Sequence, residues 1–276
     1  MVWLRKRLIF IPLSLFVLLF FIVPLVDLLR SSVSSSGGWT IQHYVSIFQN
    51  SFILQAFQNS IQLSFVSAVI ALVVTLFAVY AMSLFGEAFR TRALLVTNVL
   101  SNVSGIPLAF AFIVLLGNSG VFLLLAEHWG IPIGSFSLYS WTGLLFIYVY
   151  FQLPLALLLL YPVMEGLKDD WKEAASLLGA SPFQFWRRIG IPIIWPSIVG
   201  TFSILFANAM GAYASAYALT GSNYNLVAIR IGALLSGDIF AQPELASAIA
   251  VLLGVVMVIA LVLSEWTLRK TRGRLE

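Results

Sequence analysis

The chain has 276 residues, of which 61% are apolar in the broad sense and 9% charged, against roughly 25% charged in an average soluble domain. Its 26 Lys, Arg, Asp and Glu side chains are too few to coat a water-soluble fold of this length, so lipid is the solvent for most of the surface. With no Cys and only two histidines, His43 and His128, the sequence excludes disulfides, iron–sulfur clusters, thiol catalysis and a Cys- or His-rich metal site.

Apolar runs long enough to cross a bilayer lie at 8–29, 61–84, 94–116, 138–161, 193–219 and 245–266. The first follows Arg5-Lys6-Arg7, but its 22 residues exceed the 7 to 15 of a cleavable signal core, so it is expected to be a retained span. A shorter run, 121–126, ends at Glu127 and His128 and is expected to lie along the surface. Trp39, Trp129, Tyr139, Trp141 and Trp266 fall near span ends, where amphipathic rings anchor at the interface.

The formal charge of +4 reads as an orientation signal. If the N-terminus is inside, Arg5, Lys6, Arg7, Arg90, Arg92, Lys168, Lys172, Arg187, Arg188, Arg269, Lys270, Arg272 and Arg274 share one side. Only Arg30 and Arg230 take the other, a split of 13 to 2. The positive-inside rule then predicts both termini in the cytoplasm, and no nucleic-acid partner is needed to explain the charge. The whole chain, 1–276, is expected to form a single transmembrane domain.

Eight of the 26 charges gather between Pro162 and Ile191, in an inner loop of 30 residues. Asp169 to Leu178 reads as a short helix with acids near its start and Gly179 at the C′ position, where positive φ is wanted. Ser181-Pro182 then reads as an N-cap and first helical residue, with Phe183, Phe185, Trp186 and Ile189 on the apolar side. Arg187 and Arg188 are expected to close this second helix before Ile191-Pro192 turns the chain toward the fifth span. The small pair Ala174-Ala175 suits close approach to a soluble partner better than it suits a helix floating on headgroups.

Glu173-Ala174-Ala175, Gly179 six residues after the Glu, Ile189 ten after the Gly, and Ile191-Pro192 together resemble the "EAA" loop of binding-protein-dependent ABC importer permeases. The sole departure is Ile191 where the family has Leu, an isosteric change. The resemblance implies an all-α, six-span, N-in/C-in permease of the type I (MetI-like) fold, with loop 163–192 as cytoplasmic coupling helices between the fourth and fifth spans. By the same resemblance Glu173 contacts an ABC ATPase dimer, Ala174 and Ala175 permit close fit, Gly179 makes the turn, and Ile189 and Pro192 complete the motif. The chain has no Walker-type sequence, so ATP and Mg belong to that separate subunit, and no catalytic residue or cofactor is expected here. A second permease, different or identical, with the different one favoured, and an extracytoplasmic solute-binding protein complete the implied assembly, in the bacterial inner membrane.

Ionisable groups are nearly absent from the spans; Asp27 and Glu265 sit close to span ends. This weighs against a stand-alone secondary transporter or channel, the alternative reading, since ion-driven carriers need charge or broken helices near the midplane. Asn98, Asn102, Gln152 and Asn208 are the neutral polar candidates for the translocation path, and Tyr213 and Tyr217 the candidate gate. Ala207, Gly211 and Ser215 form a small-xxx-small stripe expected to meet another span or the second permease. Pro107 and Pro154 are expected to kink the third and fourth spans. Pro107, Gly117-Asn118-Ser119-Gly120 and Leu219-Thr220-Gly221 look like the permease group serving polyamines, iron(III), sulfate, thiosulfate or phosphonates, with the spermidine/putrescine branch favoured. The long first outer loop and the 220–243 loop would face the binding protein.

Overall fold

A computed structural model describes residues 12–35, 38–130, 137–167, 169–236 and 241–272. The cations Arg5, Lys6, Arg7, Lys168 and Arg274 and the first residues of the 8–29 run lie outside the described residues. Among the described residues, six helical stretches are long and apolar enough to cross a membrane: Pro12–Ser32, Ser51–Ser83, Gly105–His128, Trp141–Glu165, Pro182–Met210 and Pro243–Thr267. The chain divides into two compact units, one of Met1–Phe57 with Asn225–Val255 and one of Gln58–Tyr224 with Val256–Glu276.

In the first unit, α1 (Pro12–Ser32) has no buried residue in its apolar window. A π turn at Leu18–Ile22 precedes Pro24, and the Val23 N–H reaches back to the Leu18 carbonyl. Widening one turn makes room for a ring that would otherwise strike the preceding carbonyl. A two-residue antiparallel ribbon pairs β1 (Ser34–Ser35) with β2 (Gly38–Trp39), and α2 (Gln42–Gln49) follows it. The Asn50 side chain then caps α3 (Ser51–Ser83) by accepting from the Phe52 N–H at 3.0 Å. On the far side of the sequence, Asn225 donates to the Phe52 carbonyl at 2.7 Å, and on α11 (Val227–Ser236) the Arg230 guanidinium lies 4.5 Å from the Phe52 ring centre.

The second unit is built around α7 (Trp141–Glu165), the most enclosed of the candidate spans. The amphipathic α4 (Glu87–Ser101) and the long α9 (Pro182–Met210) pack on it. Two other short helices, α5 (Gly105–Leu116) and α10 (Tyr213–Thr220), pack on each other. Helix α6 (Val121–His128), α8 (Asp169–Leu177) and the second half of α12 (Pro243–Arg272) complete the unit. Arg90 ties the start of α4 to the end of α3, donating to the carbonyls of Met82, Ser83 and Phe85 at 3.2, 2.7 and 2.7 Å. The last turn of a helix leaves carbonyls short of intrahelical partners, and a cation is favoured beside them.

Two of the runs read as spans are broken. The 94–116 run is interrupted at 102–104, between α4 and α5, and the 193–219 run at 211–212, between α9 and α10. Pro107 does not kink a helix, because it falls in the first turn of α5, where its missing N–H would have had no partner anyway. The chain breaks just ahead of it, where Gly105 adopts φ +68°. Run 121–126 extends to form α6.

Candidate functional site

Two features of the second unit stand out, and one helix joins them. The first is the 163–192 loop. Helix α8 ends in a Schellman motif: the Ala180 N–H donates to the Ala175 carbonyl at 3.0 Å and the Gly179 N–H to the Ser176 carbonyl at 2.9 Å. Gly179 carries φ +79°, as its C′ position requires. Two residues later Ser181 opens α9 with a complete capping box, accepting from the Gln184 N–H at 3.3 Å while its own N–H donates to Gln184 Oε1 at 2.9 Å. The Ser-x-x-Gln spacing of this box is itself legible in the sequence.

Beyond the box, the expected stop at Arg187 and Arg188 does not occur. A π turn at Trp186–Gly190 carries the helix through Pro192, with the Ile191 N–H bonded to the Trp186 carbonyl. As at Pro24, the wider turn absorbs the proline, so Ile191-Pro192 lies within a helix and does not turn the chain. The loop's second helix and the fifth span are therefore one continuous rod of 29 residues, about 43 Å long at 1.5 Å per residue. Trp186 stacks edge-on against Tyr80 of α3 at 5.8 Å, and a Cβ on Gly190 would stand only 2.5 Å from its ring.

Within the motif, Glu173 and Ala174 are exposed, Ile189 and Pro192 are partly covered, and Ala175 is buried inside the chain. Ala175 is thus small for the sake of the chain's own packing, and only Ala174 keeps an outward face. A hollow of about 540 Å³ separates Glu173 and Lys172 from Tyr80 and Ser83 at the end of α3. Around the glycine turn, Leu177, Leu178 and Phe183 are 87%, 88% and 72% exposed. Sequence places Phe183 with Phe185 on one apolar helix side, yet Phe185 is buried and Phe183 is not. Leu177 and Leu178 carry no signal of their own, since an apolar residue at a loop tip looks like a core residue until its exposure is known. Large apolar residues exposed at the tip of a polar loop mark a contact with another protein or with a membrane.

The second feature is a cavity of about 590 Å³ at the two helix breaks. Ser101, Ser104 and Gly105 of one break and Asn208, Gly211 and Ala212 of the other line it, with Phe151 and Leu155 of α7 behind and Tyr213 at its rim. Backbone that leaves a helix at membrane depth persists only where protein or a watery cavity satisfies it. The break at Ala212 is an inverse γ-turn, φ −75° and ψ 80°, with the Tyr213 N–H bonded to the Gly211 carbonyl at 2.8 Å. Tyr148 of α7 donates to the Ala212 carbonyl at 3.0 Å, and Ser215 donates to the Gly105 carbonyl at 3.3 Å, linking the two breaks. The small-residue stripe is used here: Ser215 is buried against α5, and a Cβ on Gly211 would meet Met257 of α12 at 3.8 Å.

The six pathway candidates separate. Asn208 and Tyr213 line the cavity, and Tyr217 stacks on Tyr213 with ring centres 5.2 Å apart. Asn102 folds back to donate to the Asn98 carbonyl at 2.8 Å, at the edge of the break, while Asn98 itself lines a separate hollow of about 330 Å³. Gln152 is off the cavity wall: it is fully buried and donates to Ser67 of α3 at 2.8 Å, an interhelical bond.

A helical membrane protein whose broken helices line a half-open cavity, and whose 163–192 loop offers an apolar tip, has the features of a solute-transport protein. Broken helices occur in stand-alone carriers as well, so the breaks do not separate the two readings of the sequence. Family membership does. Residues 75–273 match the family described as "Binding-protein-dependent transport system inner membrane component", and the chain belongs to it: it is a type I ABC importer permease. The spermidine/putrescine transport system permease protein PotC of Escherichia coli (strain K12) is 27% identical over 247 residues, covering 86% of each chain. The trehalose transport system permease protein SugB of Mycobacterium tuberculosis (strain CDC 1551 / Oshkosh) is 26% identical over 208 residues, 74% of this chain and 69% of its own. A chain of a bacterial ABC transporter that imports the acidic polysaccharide alginate shares the fold, with TM-score 0.76 at 18% identity over 97% of this chain and 96% of that one.

Proposed function

We propose that this permease forms half of an importer's translocation pathway and that its 163–192 loop docks a separate ABC ATPase. The observation that carries the reading is the continuous α9: one end holds the capped turn with exposed Leu177, Leu178 and Phe183, and the other ends at the cavity. Movement of the docked loop would then reach the cavity wall without crossing a flexible joint. Glu173, Ala174 and Gly179 provide the polar contact, the close approach and the turn; Ala175, Ile189 and Pro192 hold the loop in shape. In this reading both termini are cytoplasmic, the membrane is the bacterial inner membrane, and ATP is bound and hydrolysed on the partner.

The cavity wall supplied by this chain carries serine hydroxyls, the Asn208 amide, backbone ends and the Tyr213 ring, on which Tyr217 stacks. Aromatic faces attract organic cations, and with the PotC relationship this supports a polyamine cargo, ahead of iron(III), sulfate, thiosulfate, phosphonate or a sugar. A second, different permease would supply the other wall, and an extracytoplasmic binding protein would deliver the solute. The test is a pair of loop variants, Leu177→Ser and Phe183→Ser, in the assembled transporter. Both should reach the membrane normally, lose ATPase co-purification and lose uptake. Normal co-purification and uptake in the double variant would overturn the docking assignment, and the ligand found on the cognate binding protein decides the cargo.

A further inference from the structure

Helix α2 has three faces. Tyr44 and Ile47 turn inward, Ile47 being buried; Gln42, Ser46 and Gln49 form a polar strip; and Ile41, Val45 and Phe48, at positions i, i+4 and i+7, form an apolar stripe. The stripe is not core: Ile41, Val45 and Phe48 are 73%, 44% and 63% exposed, and Trp39 just before them is 76% exposed.

The helix is fastened where two spans leave the membrane. The Tyr44 hydroxyl donates to Ser32 Oγ at 2.9 Å, on the last residue of α1, and His43 Nε2 lies 2.9 Å from the Ser34 carbonyl oxygen. At its other end Asn50 caps α3. Helix α1 brings further exposed apolar side chains toward this level, its Val26 and Leu29 being 55% and 47% exposed. No Asp, Glu, Lys or Arg occurs between Arg30 and Glu87, so this stretch gives the stripe no charged rim of the kind that borders a surface waiting in water for a soluble partner.

We propose that α2 is an interfacial helix that lays Trp39, Ile41, Val45 and Phe48 into the headgroup and acyl boundary, anchoring the loop between the first two spans to the bilayer. The polar strip faces water, and it is this strip that the loop offers to a soluble protein. Because the helix carries no cation, its attachment is apolar and needs no anionic lipid. The inference rests only on the chain spanning a membrane, and stands apart from how the 163–192 loop docks.

The chain has no cysteine, so single-cysteine spin labelling tests this directly in the full transporter reconstituted in phosphatidylcholine nanodiscs. A nitroxide on Phe48→Cys should collide with oxygen several-fold more than with a water-soluble nickel chelate, and one on Gln49→Cys should show the reverse. Adding anionic lipid or salt should change neither ratio. If Phe48→Cys fails to assemble, Val45→Cys reports on the same stripe. A nickel-accessible stripe overturns the proposal. So does a stripe shielded from both reagents, which would mean protein cover, or one shielded from nickel only after binding protein is added.

Discussion

Replacing Gly179 separates conformation from contact at the loop turn. At φ +79° an L-residue carries a backbone penalty of about 1–2 kcal/mol. No atom lies within 4 Å of a Cβ built there, so sterics within the chain add nothing to that cost. Gly179→Ala should therefore shift the balance between formed and unformed turn roughly 5- to 30-fold. Gly179→Asn should cost less, because Asn tolerates the left-handed region, and Gly179→Val more, because a β-branched residue is strongly disfavoured there. The expected order for amide protection at Ala180, ATPase co-purification and uptake is Gly, Asn, Ala, Val. If Asn is as damaging as Val, the position demands the absence of a side chain against a partner, and the conformational reasoning fails. Wild-type behaviour of Ala and Val would refute it as well.

Ser181→Ala removes one half of the capping box and should destabilise the start of α9 by about 1 kcal/mol, read as faster amide exchange at Gln184, with Gln184→Ala non-additive in the double variant because the two bonds are reciprocal. Gln152→Leu should cost roughly 0.6 kcal/mol of helix association and leave uptake nearly unchanged, since the side chain is fully buried against Ser67; a collapse of uptake in a stable protein would return Gln152 to the pathway. Tyr148→Phe leaves the Ala212 carbonyl without its donor, a loss of about 0.5–1.5 kcal/mol, and should slow uptake with ATPase co-purification intact. Asn208→Phe should fill the cavity and abolish uptake at normal expression; unimpaired transport would remove the cavity from the route.

Most of the 163–192 loop was legible in the sequence because its determinants are local. Gly179 as a C′ residue and Ser181-Pro182 as a helix start depend on neighbours a few residues away, and the structure contains both. Six apolar stretches were legible too, since a bilayer tests length and hydropathy alone. The two breaks were not. Gly105 and Gly211 read equally well as residues of a continuous apolar run, and hydropathy does not register a lost turn. What decides a break is whether the backbone there finds partners, and the Tyr148 and Ser215 hydroxyls that reach the Ala212 and Gly105 carbonyls come from helices far away in the chain. The same holds for Gln152 and Leu177. A polar side chain in a span serves either a cavity or a neighbouring helix, and an apolar one in a loop either a core or a partner. Composition and local spacing thus determined that this chain spans a membrane and carries a helix–turn–helix loop of the EAA type. Which residues face the cavity, and which present themselves at the loop tip, was decided by tertiary packing, because exposure and hydrogen-bond satisfaction belong to the whole fold.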